Sequence, residues 1–328
     1  MKVGFKMDVI NQIINKINDK KVRNIAIATH TNCDGDSIGS QEALRLTLEK
    51  LGKKVDLIIH SHISKGYSKI VGENKVDKIM IPSIQKFYDL VFLLDCSEYS
   101  RTINNIDKIG KFLIVIDHHY GMKPIGNIYL YEKACSTGAI LYKIIRRLVP
   151  ITEEIATCLY LTIRSDTGSF KNNNTDVRSH EIAADLLSHG ANIQLINEIY
   201  ETRSMSFLKL LGRVLKSIKY DNHYKYIYVT ITVEDVQESN SNYEEASLLI
   251  DYIRNIEDVD ISFLFIEGYN NIRIKARSKK TNVNEILLNF NGGGHANAAG
   301  ALVYSSDLYR VIDNIINYTE EYVNLNKI

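Results

Sequence analysis

Short apolar runs recur along the first half of the chain, with amphipathic stretches between them. The runs are Asn24–His30, Val55–His60, Asp89–Asp95 and Lys111–Asp117, each rich in Ile, Val, Leu or Phe. Nearly continuous apolar runs are typical of strands buried on both faces, which favours a parallel sheet. Because helical patterns such as Ile38–Leu51 separate the runs, the first half predicts an open, doubly wound α/β domain with a mostly parallel sheet.

Helical patterns continue after the last of these runs. They are Ser136–Leu148, Thr152–Arg164, Asp176–His189 and Gln194–Ser217. Pro150 separates the first two patterns and Gly190 stops the third, as expected for residues that end helices. We therefore predict an N-terminal domain at 1–190, followed by a helical linker at 191–222.

The pattern changes from Lys225 onward and predicts a smaller α+β domain at 223–328. Tyrosine or threonine alternates with isoleucine or valine from Tyr226 to Ile231, which predicts a strand. Ile261–Glu267 and Asn271–Ser278 read as a hairpin with a turn at 268–271. Two helical stretches follow, Val283–Phe290 and Leu308–Tyr322, on either side of a glycine-rich segment.

The composition is that of an ordinary globular protein. A length of 328 residues, with 45% hydrophobic and 24% charged residues, suits two domains. A net charge of +1 gives no basic field for long duplex nucleic acid, so a nucleic-acid substrate is expected to be short. The four cysteines form no C-x-x-C pair, which argues against a zinc knuckle. No signal peptide or membrane span is visible, so we expect a cytoplasmic protein without a membrane partner.

The segment His30 to Asp36 carries the first chemically informative pattern, directly after the first predicted strand. Ligands of open α/β sheets bind at the carboxyl ends of strands. Asp34 and Asp36 would share one side of an extended loop, and Gly35 would let the backbone turn sharply between them. One imidazole and two carboxylates suit Mn²⁺, although the segment alone is equally compatible with an Asp-Gly turn and a chance histidine.

Acidic residues also end later apolar elements. Asp95 closes the third run, and Asp117 closes the fourth and is followed by His118 and His119. A carboxylate after a buried strand is costly unless it is paired or binds a metal, although one such acid alone is often a helix cap. Asp166 ends an apolar helix and adds a further acid. This recurrence predicts a metal centre at the edge of the sheet.

Asp117-His118-His119 is the signature of the DHH phosphoesterase superfamily, which the chain resembles over nearly its whole length. The other motifs follow that family's order: His30-x-Asn32-x-Asp34-Gly35-Asp36, Gly39-Ser40, Asp95 and Asp166-Thr167-Gly168-Ser169-Phe170. The segment from Gly292 to Gly300 is similar to the glycine-rich hallmark of the DHH-associated substrate-binding domain. Cys33 stands where family members usually have proline. Because proline there would only stiffen the loop, we expect activity to remain.

The resemblance implies a site for two metal ions, with Mn²⁺ expected and Mg²⁺ or Co²⁺ as alternatives. It assigns His30 and Asp34 to one ion, Asp36, His118 and Asp166 to the other, and Asp95 to both. Two such ions can activate water and clamp the oxygens of a phosphate ester.

Three further residues are predicted to take part in catalysis. His119 would stabilise charge on the phosphate or protonate the leaving oxygen, and orientation of a metal ligand is its alternative role. Asp117 is expected to orient His118. Arg101 lies six residues after Asp95 and either clamps phosphate or forms a structural ion pair.

Substrate-binding residues are predicted in the C-terminal domain. The cations of one predicted strand are Arg273, Lys275 and Arg277. Period-two geometry places them on one face, which we interpret as a phosphate-binding face rather than a solvated one. The resemblance adds Ser278 beside Arg277. Gly292–Gly294 are predicted to form a backbone nest that binds anions next to His295.

The leading hypothesis is hydrolysis of very short RNA, together with phosphatase action on pAp. A phosphodiesterase for linear pApA or cyclic di-AMP is the alternative. Inorganic pyrophosphatase is less favoured because the glycine segment with His295 points away from it, and a non-catalytic nucleotide-binding module is less favoured because every acidic motif is intact. Short RNA or small nucleotides are the expected partners, and a homodimer is an open possibility.

Overall fold

A computed structural model describes residues 3–31, 33–59, 63, 65–71, 86–120 and 123–326 of the chain. The chain divides into two compact units, residues 1–202 and 203–328. Asn32 of the predicted metal motif and His60, the predicted end of the second strand, lie outside the described residues. The predicted fold class is confirmed, with a parallel α/β unit followed by a smaller α+β unit.

Five parallel strands form the sheet of the first unit, in the order β2-β1-β3-β4-β5. They are β1 Asn24–Ala28, β2 Lys54–Ile58, β3 Leu90–Leu94, β4 Leu113–Asp117 and β5 Ile128–Tyr131. Every residue of β3 and β4 is buried, as their continuous apolar runs predict. The strand order reverses between β1 and β3, and such a reversal is the usual ligand site of an open α/β sheet.

Helices cover one face of this sheet. They are α1 Val3–Asn18, α2 Gly35–Lys50, α3 Lys65–Val71, α4 Thr137–Ile145, α5 Glu153–Asp166, α6 Val177–Ser188 and α7 Ile193–Glu201. Helix α2 is buried along most of its length because it packs against α4 and α5 as well as against the sheet. Ile103, Ile106 and Ile109 pack against the opposite face of the sheet. Both faces are therefore covered, which explains the apolar character of the strands.

The second unit contains a mixed sheet in the order β10-β11-β9-β8-β7-β6. Its strands are β6 Lys219–Asp221, β7 Tyr226–Ile231, β8 Ile261–Glu267, β9 Ile272–Ser278, β10 Gly293–His295 and β11 Ala298–Val303. Strands β8 and β9 form the predicted hairpin, closed by the N–H of Gly268, which donates to the carbonyl of Asn271 at 2.7 Å. Strands β7 and β8 are parallel, so helices must connect them.

Two apolar layers sandwich the second sheet. Its helices are α8 Met205–Val214, α9 Val233–Ser239, α10 Tyr243–Ser247, α11 Ile250–Ile253, α12 Val283–Leu288 and α13 Leu308–Leu325. Residues of α12 and α13 pack with Ile272, Ile274 and Ala276 on one face. Residues of α8 to α11 pack with β7 and β8 on the other face. On this second face, the helices cover strands β7 and β8 more than strands β9 to β11.

The predicted linker, 191–222, is divided between the two units. Its first helix, α7, packs into the first unit through Ile196, and its second helix, α8, packs into the second unit through Phe207 and Leu210. Strands β5 and β10 and helices α9 to α11 were not predicted, because short elements carry too few residues for a periodic pattern. The 16-residue helix α1 was also not predicted. None of the helices in the described ranges is long and apolar enough to cross a membrane.

Candidate metal centre

The carboxyl edge of the first sheet brings the predicted acids and histidines together. His30 follows β1, Asp95 follows β3, and Asp117 is the last residue of β4. Helix ends supply the other predicted ligands: Asp34 and Asp36 at the start of α2, and Asp166 at the end of α5. Because β1 and β3 flank the reversal of strand order, His30 and Asp95 lie at the position where this topology binds ligands.

The start of α2 is built around Asp34 and a close helix contact. The carboxylate of Asp34 caps the helix, accepting the N–H groups of Asp36 and Ser37 at 3.0 Å each. Gly35 is the first helical residue and makes no sharp turn, so that prediction was wrong. Glycine is required there because a Cβ would lie only 2.2 Å from the Tyr200 hydroxyl oxygen. Helix α7 thus determines which residue can stand between the two aspartates.

The first cluster of candidate ligand atoms consists of His30, Asp34 and Asp95, all within 4.8 Å of one another. Nε2 of His30 lies 3.4 Å from Oδ2 of Asp95. Nδ1 of His30 lies 2.7 Å from the carbonyl oxygen of Thr31, so Nδ1 donates and Nε2 keeps its lone pair. The hydroxyl of Ser37 donates to Asp95 Oδ2 at 2.9 Å, and its oxygen also lies 2.7 Å from Nε2 of His30; its one proton cannot serve both atoms at once.

The second cluster consists of Asp36, His118 and Asp166, with the same spacing limit of 4.8 Å. Nε2 of His118 lies 3.0 Å from Oδ2 of Asp166 and 3.8 Å from Oδ2 of Asp36. Nδ1 of His118 lies 3.2 Å from the carbonyl oxygen of Ala134, so this nitrogen also serves as the donor. Each cluster therefore points Nε2 of one imidazole among carboxylate oxygens, and this nitrogen can coordinate a metal once it carries no proton.

Helix α4 holds two buried carboxylates, Asp36 and Asp95. Asp36 accepts the N–H groups of Thr137 at 2.7 Å and Gly138 at 3.1 Å, at a helix N-terminus that favours negative charge. The hydroxyl of Thr137 donates to Asp95 Oδ1 at 3.2 Å. Asp95 Oδ1 also lies 3.6 Å from Nε2 of His118, so Asp95 is shared between the clusters. Its φ of +57° is a left-handed conformation that is costly for a non-glycine residue and concentrates at functional sites.

The crowded acids perturb each other's pKa values. Burial, with the charges of Asp95 and Asp166, raises the pKa of Asp36 well above its ordinary value. Burial, with the charges of Asp95 and Asp34, raises the pKa of Asp166 to about 6. Burial alone would lower the pKa of His118, but the contact with Asp166 and the charge of Asp36 raise it to about 10. These shifts have one cause, a shortage of positive charge among buried carboxylates.

The donor set of both clusters fits divalent cations. Nε2 of His118 is buried and makes no hydrogen bond of ordinary geometry to any described residue, although Asp166 is within 3.0 Å. Carboxylate oxygens and imidazole nitrogens are suitable ligands for Mn²⁺ and related ions. A divalent ion in each cluster would supply the missing positive charge and give the orphaned nitrogen a partner.

Asp117 contacts His119 rather than His118. Its Oδ1 accepts the N–H of His119 at 3.0 Å and lies 2.7 Å from Nδ1 of the same imidazole ring. The prediction that Asp117 orients His118 was therefore wrong, because the turn after β4 folds the second histidine back over the carboxylate, while Ala134 orients the first. Asp117 thus holds the imidazole of His119 through Nδ1, and the side chain is partly exposed at 26%.

Arg101 lies beside the first cluster through its backbone. Its carbonyl accepts the N–H of Thr31 at 2.6 Å, which joins a 3₁₀ turn to the loop that carries His30. The guanidinium forms no ion pair or hydrogen bond with any residue in the described part of the chain. The predicted structural ion pair of Arg101 therefore has no acidic partner among the described residues.

Strand β9 of the second unit places the three predicted cations on one face. Arg273 is exposed, and Lys275 and Arg277 are partly buried. Neither Lys275 nor Arg277 has an ion-pair partner among the described residues, and burial lowers the pKa of both. The charge of Asp251 acts on both cations but forms no ion pair with either, and partly buried cations of this kind are suited to binding an anion such as phosphate.

The strand register brings His295 to the same face as these cations. His295 pairs with Ala298 of β11, and Ala298 pairs with Arg277 of β9. The next row is Gly293, Gly300 and Lys275. Directly paired residues of antiparallel strands share a face. Because Ala298 and Gly300 are small, no large side chain stands between the cations and β10 on this face. We call the surface formed by Lys275, Arg277, Gly293, His295, Ala298 and Gly300 the basic shelf.

Gly292–Gly294 do not form the predicted nest. Gly293 and Gly294 are extended in β10, and the N–H of Gly292 donates to the carbonyl of Leu287 at 2.9 Å. The prediction was wrong because pairing with β11 holds the segment as an edge strand. Gly294 has a φ of +150° and no room for a Cβ, which would lie 2.4 Å from a carbonyl oxygen of β11. A Cβ on Gly293 would meet nothing within 4 Å.

Ser278 ends β9 beside Arg277. Its hydroxyl donates to the carbonyl of Thr281, and its own carbonyl accepts the side-chain amide of Asn297 at 3.2 Å. These bonds join the turn after β9 to the turn between β10 and β11. Substrate binding by Ser278 stays a prediction.

Two family models match the chain, one for each unit. The DHH family, N-terminal domain, matches residues 24–163, and the DHHA1 domain matches residues 223–323. The chain therefore carries a DHH domain followed by a DHHA1 domain. All of the six candidate ligands except Asp166 fall within the matched DHH region. The basic shelf falls within the matched DHHA1 region.

Several known proteins are similar to this DHH protein over most of its length. The bifunctional oligoribonuclease and PAP phosphatase NrnA of Thermus thermophilus is 27% identical, covering 90% of this chain and 89% of the relative. The Bacillus subtilis protein of the same name is 25% identical, covering 86% and 90%. The crystal structure of an exopolyphosphatase-related protein from Bacteroides fragilis has a TM-score of 0.86 at 25% identity, covering 97% of each chain.

The DHH protein also uses residues that the sequence did not reveal. Ser37 and Thr137 hold Asp95 from both sides, and Tyr200 packs against the start of α2. Ser37 directly follows the motif aspartate, so a polar residue in the first helical turn was an available signal. Thr137 and Tyr200 are distant along the chain, and no local pattern connects them with the motifs.

Proposed function

We propose that this DHH protein is a two-metal phosphoesterase that degrades very short RNA to mononucleotides and dephosphorylates pAp. The observation that carries the proposal is the pair of ligand clusters that meet at Asp95. The relatives named oligoribonuclease and PAP phosphatase support the same substrate class. Cytoplasmic location is part of the proposal, because short RNA and nucleotides occur there. Assembly as a homodimer is untested.

Six side chains would hold the two metal ions. One ion would take His30 and Asp34, the other would take Asp36, His118 and Asp166, and Asp95 would contact both. Bound divalent ions activate water and neutralise charge on the oxygens of a phosphate ester. We propose Mn²⁺ as the physiological ion, with Mg²⁺ or Co²⁺ as alternatives, because the donors are oxygen and nitrogen atoms.

Two further residues of the first unit act on the substrate in this proposal. His119 donates a proton from Nε2 to the leaving oxygen, since the bond between Nδ1 and Asp117 keeps the ring in one orientation. Arg101 binds a phosphate oxygen with its guanidinium, a geometry that arginine provides in bidentate form. Asp117 supports catalysis through His119.

The domains divide the work between chemistry and affinity. Residues 1–190 would carry out catalysis, and residues 223–328 would bind the substrate on the basic shelf, with Arg273, Ser278 and Gly292–Gly294 at its borders. A shelf with so few cations contacts only a few phosphates, which favours very short oligonucleotides.

A turnover panel with Mn²⁺ tests the proposed function. The substrates are RNA of two to five nucleotides, pAp, pApA, cyclic di-AMP, pyrophosphate and polyphosphate. We expect RNA dinucleotides and pAp to have the highest kcat/KM and turnover to vanish after removal of metal with EDTA. Preferred turnover of a cyclic dinucleotide, pyrophosphate or polyphosphate would reassign the substrate, and full activity after exhaustive chelation would refute the two-metal mechanism.

A further inference from the structure

Two polar side chains, Ser97 and Tyr129, form a series of contacts that leads to Asp117. Neither has been given a role above. Ser97, two residues after Asp95, is only 5% exposed. Its hydroxyl donates to Oδ2 of Asp117. The same hydroxyl oxygen lies 3.3 Å from the phenol oxygen of Tyr129 in β5. The contacts therefore connect Tyr129, Ser97, Asp117 and His119 in sequence.

The direction of the hydrogen bonds follows from the number of protons. Ser97 has one hydroxyl proton, and a buried carboxylate is a stronger acceptor than a phenol. Ser97 therefore donates to Asp117, and the phenol of Tyr129 is left to donate to Ser97. Both oxygens of Asp117 are then occupied, Oδ1 by the backbone and ring of His119 and Oδ2 by Ser97.

This arrangement restricts the rotation of Asp117. Its side chain is fully buried, so removal of the Ser97 hydroxyl would leave Oδ2 without that donor in a place where water does not easily replace it. A carboxylate held at one oxygen only can turn about its last torsion, which is a broad one. Rotation of the carboxylate would carry the bond to Nδ1 with it and misalign the ring of His119.

We propose that Ser97 is a positioning residue that acts through Asp117 to orient the imidazole of His119 toward the leaving oxygen. Tyr129 supports Ser97 from the far side and contributes less, because its contact is longer. The proposal rests on the proposed function, since it concerns the residue that protonates the leaving group. Among the described residues, Ser97 makes no hydrogen bond to any of the six proposed metal ligands, so its loss should leave metal binding intact.

Leaving-group dependence separates positioning from a merely structural role. We would compare Ser97→Ala with the wild type on an RNA dinucleotide, whose leaving ribose oxygen needs a proton, and on the p-nitrophenyl ester of AMP, whose leaving phenolate does not. The expected result is a roughly ten-fold lower kcat on the dinucleotide, with KM unchanged and turnover of the ester nearly unaffected. An equal loss on both substrates would overturn the proposal.

A double-mutant cycle asks whether Ser97 acts through His119. In a His119→Ala background, Ser97→Ala should cause no further loss on the dinucleotide, because the group that it positions is absent. A further loss of the full ten-fold would show that Ser97 works by another route. Tyr129→Phe should give the same substrate pattern with a smaller, two- to three-fold effect.

Two controls keep the inference separate from stability and from the proposed function. Thr47→Val removes a hydroxyl that is buried in α2 and bonded only within that helix, so it should lower stability without changing the ratio of the two substrates. In the substrate-free protein, ¹⁵N NMR should show His119 with the proton on Nδ1, and Ser97→Ala should lose this single tautomer. An unchanged imidazole spectrum in Ser97→Ala would sink the proposal even if the protein hydrolysed none of the panel substrates.

Discussion

The two units of this protein use charge in opposite ways. In the first unit, carboxylates are buried at the edge of a parallel sheet, and burial together with the charges of Asp95 and Asp166 raises the pKa of Asp36. In the second unit, cations lie partly buried on a sheet face, and the pKa of Lys275 is lowered because burial disfavours its charge. The first site calls for cations and the second for an anion. We therefore propose that the first unit carries out the chemistry and the second provides affinity, so that variants can disrupt the two separately.

The largest effect is expected at Asp95, because both clusters share it. Asp95→Ala should lower kcat by more than about a thousand-fold and abolish tight Mn²⁺ binding at both sites, since each loses a ligand. Turnover of an RNA dinucleotide and calorimetric titration with Mn²⁺ measure this. Asp89→Ala is the matched control, because Asp89 lies immediately before the same strand and pairs with Lys111. Wild-type turnover in the Asp95 variant would refute the assignment of the shared ligand.

A smaller and different effect is expected at Arg277 on the basic shelf. Arg277→Ala should raise KM for RNA dinucleotides and pAp about ten-fold and leave kcat nearly unchanged, if the side chain binds ground and transition states alike. Arg213→Ala removes an exposed arginine that already pairs with Asp235 and should change neither constant. A loss confined to kcat in the Arg277 variant would show that this residue acts in the chemical step. That result would contradict the proposed division of roles between the two units.

Substitutions of the two glycines in β10 should distinguish an effect on packing from an effect on ligand binding. Gly294→Ala should destabilise the fold by about 1–3 kcal/mol, because its φ of +150° suits glycine and a Cβ would clash with β11. Gly293→Ala has open space and should leave the melting temperature unchanged while raising KM a few-fold, since the methyl group narrows the shelf. Thermal melts and steady-state kinetics check both variants. A KM for Gly293→Ala equal to that of the wild type would place the substrate elsewhere.

The dependence on salt and chain length should be the weakest effect. A net charge of +1 and a small shelf predict few phosphate contacts, and each contributes a slope of about −0.7 in a plot of log affinity against log salt for single strands. We therefore expect a shallow slope, on the order of one to three contacts, and no gain in kcat/KM from two to about 24 nucleotides. Efficiency that rises with length, with a steep salt dependence, would point to a longer track for nucleic acid.

Local motifs anticipated much of the candidate site. His30, Asp34, Asp36, Asp95, His118 and Asp166 were predicted as ligands, and the fold brings their atoms into two clusters. These residues come together because each lies at or just beyond the end of an apolar strand or at a helix end, and the ends of parallel strands meet at one edge. Their assignment to particular ions stays a prediction.

Three interpretations failed where a distant contact overrides a local pattern. Gly35 reads as a turn residue, yet the nearby hydroxyl of Tyr200 is what requires glycine. Gly292–Gly294 read as a loop, yet pairing with β11 extends part of the segment. Asp117 was expected to orient its neighbour in sequence, yet it bonds to the residue after that one. In each case the deciding atom lies on another element or depends on the exact course of a turn.

The sequence by itself determined the α/β character of the first unit, the position of strands β1 to β4 and the identity of the acidic motifs. Hydrophobic periodicity reports burial on one or both faces of an element, and a strand followed by an acid is a local pattern. Only the tertiary structure decided that Thr137 holds Asp36 and Asp95 together, that Ser97 supports Asp117, and that His295 shares a face with Arg277. These relations depend on strand order and register, which arise from the packing of the whole sheet and leave no mark on neighbouring residues of the chain.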